Sequence, residues 1–505
     1  MPKLAKDSVN WFEMKGVAVR LQGKVVLQKV DWIFVQNEHW AILGGNGAGK
    51  STILRVLAQQ IAYCEGTLRR HPDLQGISQL GWVHLNQPLG LLAQEKLMDR
   101  WEEYSGKEQE QRTIRNMFSE SILTKKESGD LLRLVQLDSK VDRPIRGLSN
   151  GEWRKLLLFQ SLIESPKLLM LDEPFDGLDQ NSKNDFQSLL RELVQHSKLS
   201  LILVSHRQNE LIPEITDVMG LMDGKIAFSG KRNIVLNESN LKKLYGYENK
   251  ASDTSKLNRK IIVSHSKNIA NSLVPPVKLE NVNLYYQDHT VFENFSWTWP
   301  TGEHWQVSGP NGSGKSTLVK LIVGEQLQVY SNRVWIFGKR RGSGENIRDL
   351  RKRIGIVTPE LQMNYRQKIT GRKVVYSGFN DSIGYYESIS EKQKEMAENW
   401  LNQFGLLEIA ETAYLKMSYG QQRLFLLARA MVKSPELLLL DEPCQGLDPY
   451  QRTKLINEIN VLGRSKATQI LYISHQFEDK LDCISATLFL PDGRTESNLL
   501  DFSKL

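Results

Sequence analysis

A nine-residue pattern occurs twice in this chain, with seven positions identical. Gly44-Gly45-Asn46-Gly47-Ala48-Gly49-Lys50-Ser51-Thr52 returns as Gly309-Pro310-Asn311-Gly312-Ser313-Gly314-Lys315-Ser316-Thr317, with Lys315 265 residues after Lys50. Asp172-Glu173-Pro174 returns as Asp441-Glu442-Pro443, and Ser205-His206 as Ser474-His475, each 269 residues on. A period this long means two copies of one domain rather than a solenoid of short repeats. The length of 505 residues agrees, being too great for a single hydrophobic core.

In each copy a short apolar run precedes the Gly-rich loop (40–43 and 305–308) and two more follow (168–171 and 201–204; 437–440 and 469–473). Such runs alternating with helical segments predict an α/β fold with a parallel sheet covered by helices. Polar, charge-rich segments at roughly 95–165 and 370–430 read as helical insertions into that core. The polar stretch ending at Pro275-Pro276 reads as a linker. This places a first domain at 8–245, a linker at 246–276 and a second domain at 277–505.

Both Gly-rich loops fit G-x-x-x-x-G-K-S. Glycines let successive backbone N–H groups curl around phosphates, and the following helix points its positive end at them. Lys50 and Lys315 would meet the outer phosphates, and Ser51 and Ser316 would hold Mg2+. Asp172 and Asp441 close apolar runs at a strand's carboxyl end, where a carboxylate can order the metal shell. The next residues, Glu173 and Glu442, can polarise an attacking water. His206 and His475 follow later strands and are placed to sense a terminal phosphate. Leu148-Ser149-Asn150-Gly151-Glu152 and Met417-Ser418-Tyr419-Gly420-Gln421 predict a Ser N-cap whose helix dipole faces an anion. The same pattern describes a Ser that only caps its helix, and both readings stand at this point.

Composition narrows the class. The formal net charge of +8 is mild for this length and is read as a solvated basic surface, with no specific nucleic acid expected. Three scattered cysteines, Cys64, Cys444 and Cys483, match no metal or disulfide framework and fit a reducing compartment. They also argue against repair ATPases built on zinc modules. The N-terminus lacks a signal-peptide core, and no run reaches the ~18 apolar residues of a membrane helix. A transport role would need another chain to supply the passage.

Together these motifs resemble the ATP-binding-cassette superfamily over nearly the whole chain. The likeness adds Gly177-Leu178-Asp179 and Gly446-Leu447-Asp448 as D-loops to the elements above. It implies two P-loop NTPase domains in tandem, each a RecA-like α/β core with an inserted helical subdomain and an N-terminal antiparallel β subdomain. It implies ATP and Mg2+ as ligands and a head-to-tail pseudo-dimer of the two domains. One ATP would meet Lys50, Ser51, Asp172, Glu173 and His206 with Ser418 and Gly420. The other would meet Lys315, Ser316, Asp441, Glu442 and His475 with Ser149 and Gly151. Tyr286 fits the adenine-stacking aromatic, whose first-half counterpart is Leu21, and Gln87 and Gln362 are the candidates for the metal-shell glutamine. Asn150 and Tyr419 stand where the family has glycine. Two hydrolytic sites are nevertheless expected.

Within the superfamily, the segments 148–155, 172–179, 419–423 and 490–493 resemble double-cassette proteins linked to molybdate transport. That implies an energising subunit for integral-membrane permease subunits, cytoplasmic and peripheral on the inner membrane. The rival class is a soluble translation factor with twin cassettes acting on ribosomes. Its long, basic, helical linker contrasts with the short mixed segment 246–276.

Overall fold

The computed structural model describes residues 9–84 apart from 22, 75, 77 and 78, residues 112–245, and residues 274–497 apart from 287, 288, 366, 367, 475–478 and 480. The chain divides into two compact units near residue 251.

In the first unit the strands are β1 (Asn10–Leu21), β2 (Lys24–Val35), β3 (His39–Leu43), β4 (Glu65–Arg70), β5 (Leu80–His84), β6 (Leu168–Asp172), β7 (Ser200–Ser205), β8 (Asp217–Met222) and β9 (Lys225–Lys231). An antiparallel sheet runs β2-β1-β4, and a six-stranded sheet runs β5-β6-β7-β3-β8-β9. The latter is parallel from β5 to β8, with β9 antiparallel at its edge. Side chains on a strand alternate between faces, so a sheet covered on both sides needs apolar residues at every position. That is what β6 and β7 supply. Leu169, Leu171, Leu201 and Leu203 enter one core with the helices Asn150–Leu162 and Gln180–His196. Leu168, Met170, Ile202 and Val204 enter the opposite core, with the Lys50–Leu57 helix and the aromatics of β1 and β2.

The second unit repeats the plan with β10 (Val277–Tyr286), β11 (His289–Trp299), β12 (Trp305–Ser308), β13 (Arg333–Ile336), β14 (Lys339–Arg340), β15 (Ile354–Val357), β16 (Leu437–Asp441), β17 (Gln469–Ile473), β18 (Ala486–Phe489) and β19 (Arg494–Ser497). Its antiparallel sheet is β11-β10-β13-β14 and its core sheet β15-β16-β17-β12-β18-β19. Leu438, Leu440, Ile470 and Tyr472 face one core, and Leu437, Leu439, Leu471 and Ile473 the other. The expected helical insertions are present as Lys126–Leu134 and Asn150–Leu162 in one unit and Glu391–Gln403 and Tyr419–Met431 in the other.

Register places the functional loops. Leu43 at the end of β3 pairs with Ser205 at the end of β7, and Asp172 at the end of β6 pairs with Val204. In the second unit Val307 and Asp441 both pair with Ile473. Three carboxyl ends therefore finish level in each unit. Leu171 and Leu440 are fully buried just before the acidic pairs. Leu171→Ala or Leu440→Ala is expected to cost about 2–5 kcal/mol, read as a lower denaturant midpoint with an unchanged slope.

Candidate nucleotide sites

The Gly-rich loops close onto helix N-termini through glycines whose replacement would be strained. Gly49 (φ 102°) and Gly314 (φ 95°) are left-handed and immediately precede the helices Lys50–Leu57 and Lys315–Val323. A Cβ would fall 2.7 Å from Leu27 at Gly49 and 2.8 Å from Val291 at Gly314. Conformation and space thus both exclude a side chain. Asn46, Gly47, Asn311 and Gly312 lie in the loops, and Thr52 and Thr317 in the first helical turns.

Lys50 curls back so that Nζ donates to the carbonyls of Gly44 (2.8 Å) and Gly45 (3.1 Å). Lys315 does the same to Gly309 (2.8 Å) and Pro310 (2.7 Å). Both lysines are buried, their ammonium groups held against the loops by these carbonyls.

In the first unit the charges interlock. Lys50 Nζ stands 3.2 Å from Glu173 Oε1. Glu173 Oε2 lies 2.8 Å from His206 Nδ1 and accepts the His206 backbone N–H at 3.2 Å. Burial works to raise the Glu173 carboxyl, but His206 and Lys50 outweigh it and hold it down to about 2. Burial also works against the charged His206 ring, yet Glu173 raises its pKa. The Arg207 guanidinium donates through Nε to His206 Nε2 at 3.0 Å, so the neutral ring carries its proton on Nδ1, toward Glu173. Glu173 (φ 51°) and Glu442 (φ 45°) are both left-handed, a strained conformation for a non-glycine residue that aims each carboxylate out of the strand line.

Asp172 and Asp441 behave alike. Burial pushes each up to about 6, against a hydrogen bond from Ser51 and Ser316 respectively. Each keeps one buried oxygen, Oδ1, without a hydrogen-bond partner. A hydroxyl, a carboxylate with an open oxygen and nearby phosphate oxygens make the hard-oxygen set that suits Mg2+, which keeps most of its waters and takes few protein ligands. These residues therefore fit the ion.

The Ser149 and Ser418 segments open their helices with complete capping boxes. Ser149 Oγ accepts from Glu152 N–H at 3.2 Å while Glu152 accepts from Ser149 N–H at 2.6 Å. Ser418 and Gln421 make the same exchange at 3.2 and 2.9 Å. The capping reading is thus correct of both serines, whatever else they hold. Gly151 and Gly420 are tightly placed: a Cβ would meet Ser182 Oγ at 3.2 Å in one and run into Gln451 in the other. Trp153 is buried in the core, as a packing residue should be.

The remaining expected positions are described in part or lie outside the described residues. Gln362 is buried on the helix Pro359–Asn364, and its Nε2 donates to Gln422 on the Ser418-capped helix at 2.8 Å. Gln87 and His475 lie outside the described residues. Tyr286 ends β10, its side chain outside the described set, and Leu21 packs against the core. Sequence reasoning passed over Arg207 and the buried arginines Arg154 and Arg423. Arg154 Nη2 donates to Asp176 O at 3.2 Å, tying the Ser149-capped helix to the loop after Glu173. Arg423 stands under the Tyr419 ring at 5.5 Å. The common offset of five residues from each capping serine was the available signal.

Two phosphate-binding loops, each beside an acidic pair at a parallel-strand end, define a double P-loop ATPase. The profile of the ABC transporter family matches residues 27–176 and 292–445. The ABC transporter ATP-binding protein ModF of Escherichia coli is 36% identical over 489 residues, covering 94% of this chain and 96% of that protein. The uncharacterized ABC transporter ATP-binding protein C323.04 of Schizosaccharomyces pombe is 26% identical, covering 93% of this chain and 95% of that protein. YlmA of Bacillus subtilis, also an uncharacterized ABC transporter ATP-binding protein, is 32% identical over 43% of this chain and 82% of its own. The chain belongs to the ABC transporter ATP-binding family and is an ATPase carrying two cassettes.

The raised carboxyls set a pH test. A folded pKa of about 6 against an ordinary 3.8 means the native state holds this proton more tightly than the unfolded chain. The contribution to stability is complete below 3.8 and lost as pH rises through about 6. Asp172→Asn or Asp441→Asn should therefore raise the melting temperature more at pH 8 than at pH 5. An equal gain at both values would contradict the assigned shifts.

Proposed function

We propose that both sites hydrolyse ATP and that the chain energises a membrane transporter, with cassettes at 8–245 and 277–505 joined by 246–276. The observation that carries the reading is the recurrence of buried Lys, metal-fit Asp and left-handed Glu at level strand ends in both units. In this reading the loop amides with Asn46, Gly47, Lys50 and Thr52, or Asn311, Gly312, Lys315 and Thr317, orient the triphosphate. Mg2+, held by Ser51 and Asp172 or Ser316 and Asp441, would screen the phosphate charge. Glu173 and Glu442 orient the attacking water, and His206 and His475 hydrogen-bond the terminal phosphate. Closure of the cassettes on nucleotide, with Ser149, Gly151, Ser418 and Gly420 as further contacts, would supply the stroke.

ABC ATP-binding proteins usually act with membrane permeases, and no described helix is long and apolar enough to cross a membrane. The proposed partners are therefore separate integral-membrane subunits, met at the cytoplasmic face of the inner membrane, and molybdate is the first cargo to test. Glu173→Gln and Glu442→Gln should each remove about half the turnover, and together at least ~100-fold. A double variant that still hydrolyses ATP at the native rate would refute the assignment. The double variant should also trap a permease in membrane pull-downs. Co-sedimentation with ribosomes instead would favour the translation-factor class.

A further inference from the structure

The histidine that follows β7 in the first unit, His206, has a backbone as constrained as its ring. His206 N–H donates to Glu173 Oε2. Arg207 N–H donates to Ser205 Oγ at 2.9 Å, and Ser205 Oγ donates to Glu210 Oε2 at 2.5 Å, so the chain turns sharply after the ring. Lys183, on the helix Gln180–His196, reaches Glu210 at 3.4 Å and anchors that turn. The His206 carbonyl accepts from the Tyr245 hydroxyl at 2.7 Å in a buried setting. Tyr245 is 7% exposed, packed with Leu244 in the same core as β6 and β7. It is the last residue of the helix Glu238–Tyr245, and the stretch read as the inter-cassette linker begins at the next residue.

We infer that Tyr245 is a positioning residue for His206, fixing from the end of the first cassette's last helix the carbonyl that sets where the ring stands against Glu173. The inference rests on the reading of the first site as hydrolytic. Its physical basis is the cost of stranding a buried carbonyl. Without the phenol, the carbonyl is left without this donor, and the loop can recover one only by shifting. Any shift moves the ring away from Glu173 Oε2, 2.8 Å off, with which it shares a proton.

The test is Tyr245→Phe, which keeps the packing and deletes one hydroxyl. With Glu442→Gln present so that only the first site turns over, kcat should fall about fivefold, with KM for ATP unchanged and the melting temperature lowered by at most a few degrees. In a chain also carrying His206→Ala, Tyr245→Phe should have no further effect. An unchanged kcat, or the same loss with and without His206, overturns the inference. The ring 15N signals of His206, assigned by their loss in His206→Ala, provide a readout independent of turnover. They should move in Tyr245→Phe, and fixed signals also overturn it. A chain with Glu442→Gln alone that fails to hydrolyse ATP would sink the reading of the first site, while the ring signals still decide the role of Tyr245.

Discussion

The hydrogen-bond register of three parallel strands is the constraint from which each site follows. Because Leu43, Asp172 and Ser205 sit within one residue of a common level, the phosphate loop, the acidic pair and the histidine loop leave the sheet side by side. The loops meet across the sheet although they are distant along the chain: Lys50 and Glu173, 3.2 Å apart, are separated by more than a hundred residues. A one-residue slip of β6 would carry Asp172 off the level of Leu43 and Ser205 and turn its side chain to the opposite face of the sheet.

That security is spent on an unfavourable collection of groups. Asp172 is buried enough to resist ionisation and has an oxygen with no partner. Glu173 is held in a strained backbone conformation between an ammonium and an imidazole. Such arrangements persist only where surrounding packing over-determines them. The leucine-filled cores on either side of β6 and β16 provide it. A stable fold thus carries locally destabilising sites, the usual balance at functional centres.

Much of this was legible in one dimension because the duplication let each motif vouch for the other. The Gly-rich loops, both acidic pairs and the capping serines lie where their local chemistry says they should. Gln362 was harder, since a glutamine's partner is decided by packing, and here that partner is Gln422 on another helix. Arg207 was missed although it adjoins His206, because adjacency does not reveal that a guanidinium folds back onto its neighbour's ring.

By itself the amino-acid sequence determined that there are two cassettes, which strands are buried on both faces, and which residues could meet phosphate, metal and water. Those are local properties: periodicity, glycine where φ must be positive, a hydroxyl at a helix start. Only the tertiary structure decided that Asp172 and Asp441 are protonation-prone while Glu173, beside Asp172, is not, that Lys50, Glu173 and His206 form one linked chain, and that Tyr245 reaches the His206 carbonyl. Those depend on burial and on distances between residues far apart in the chain, which pattern and spacing do not encode.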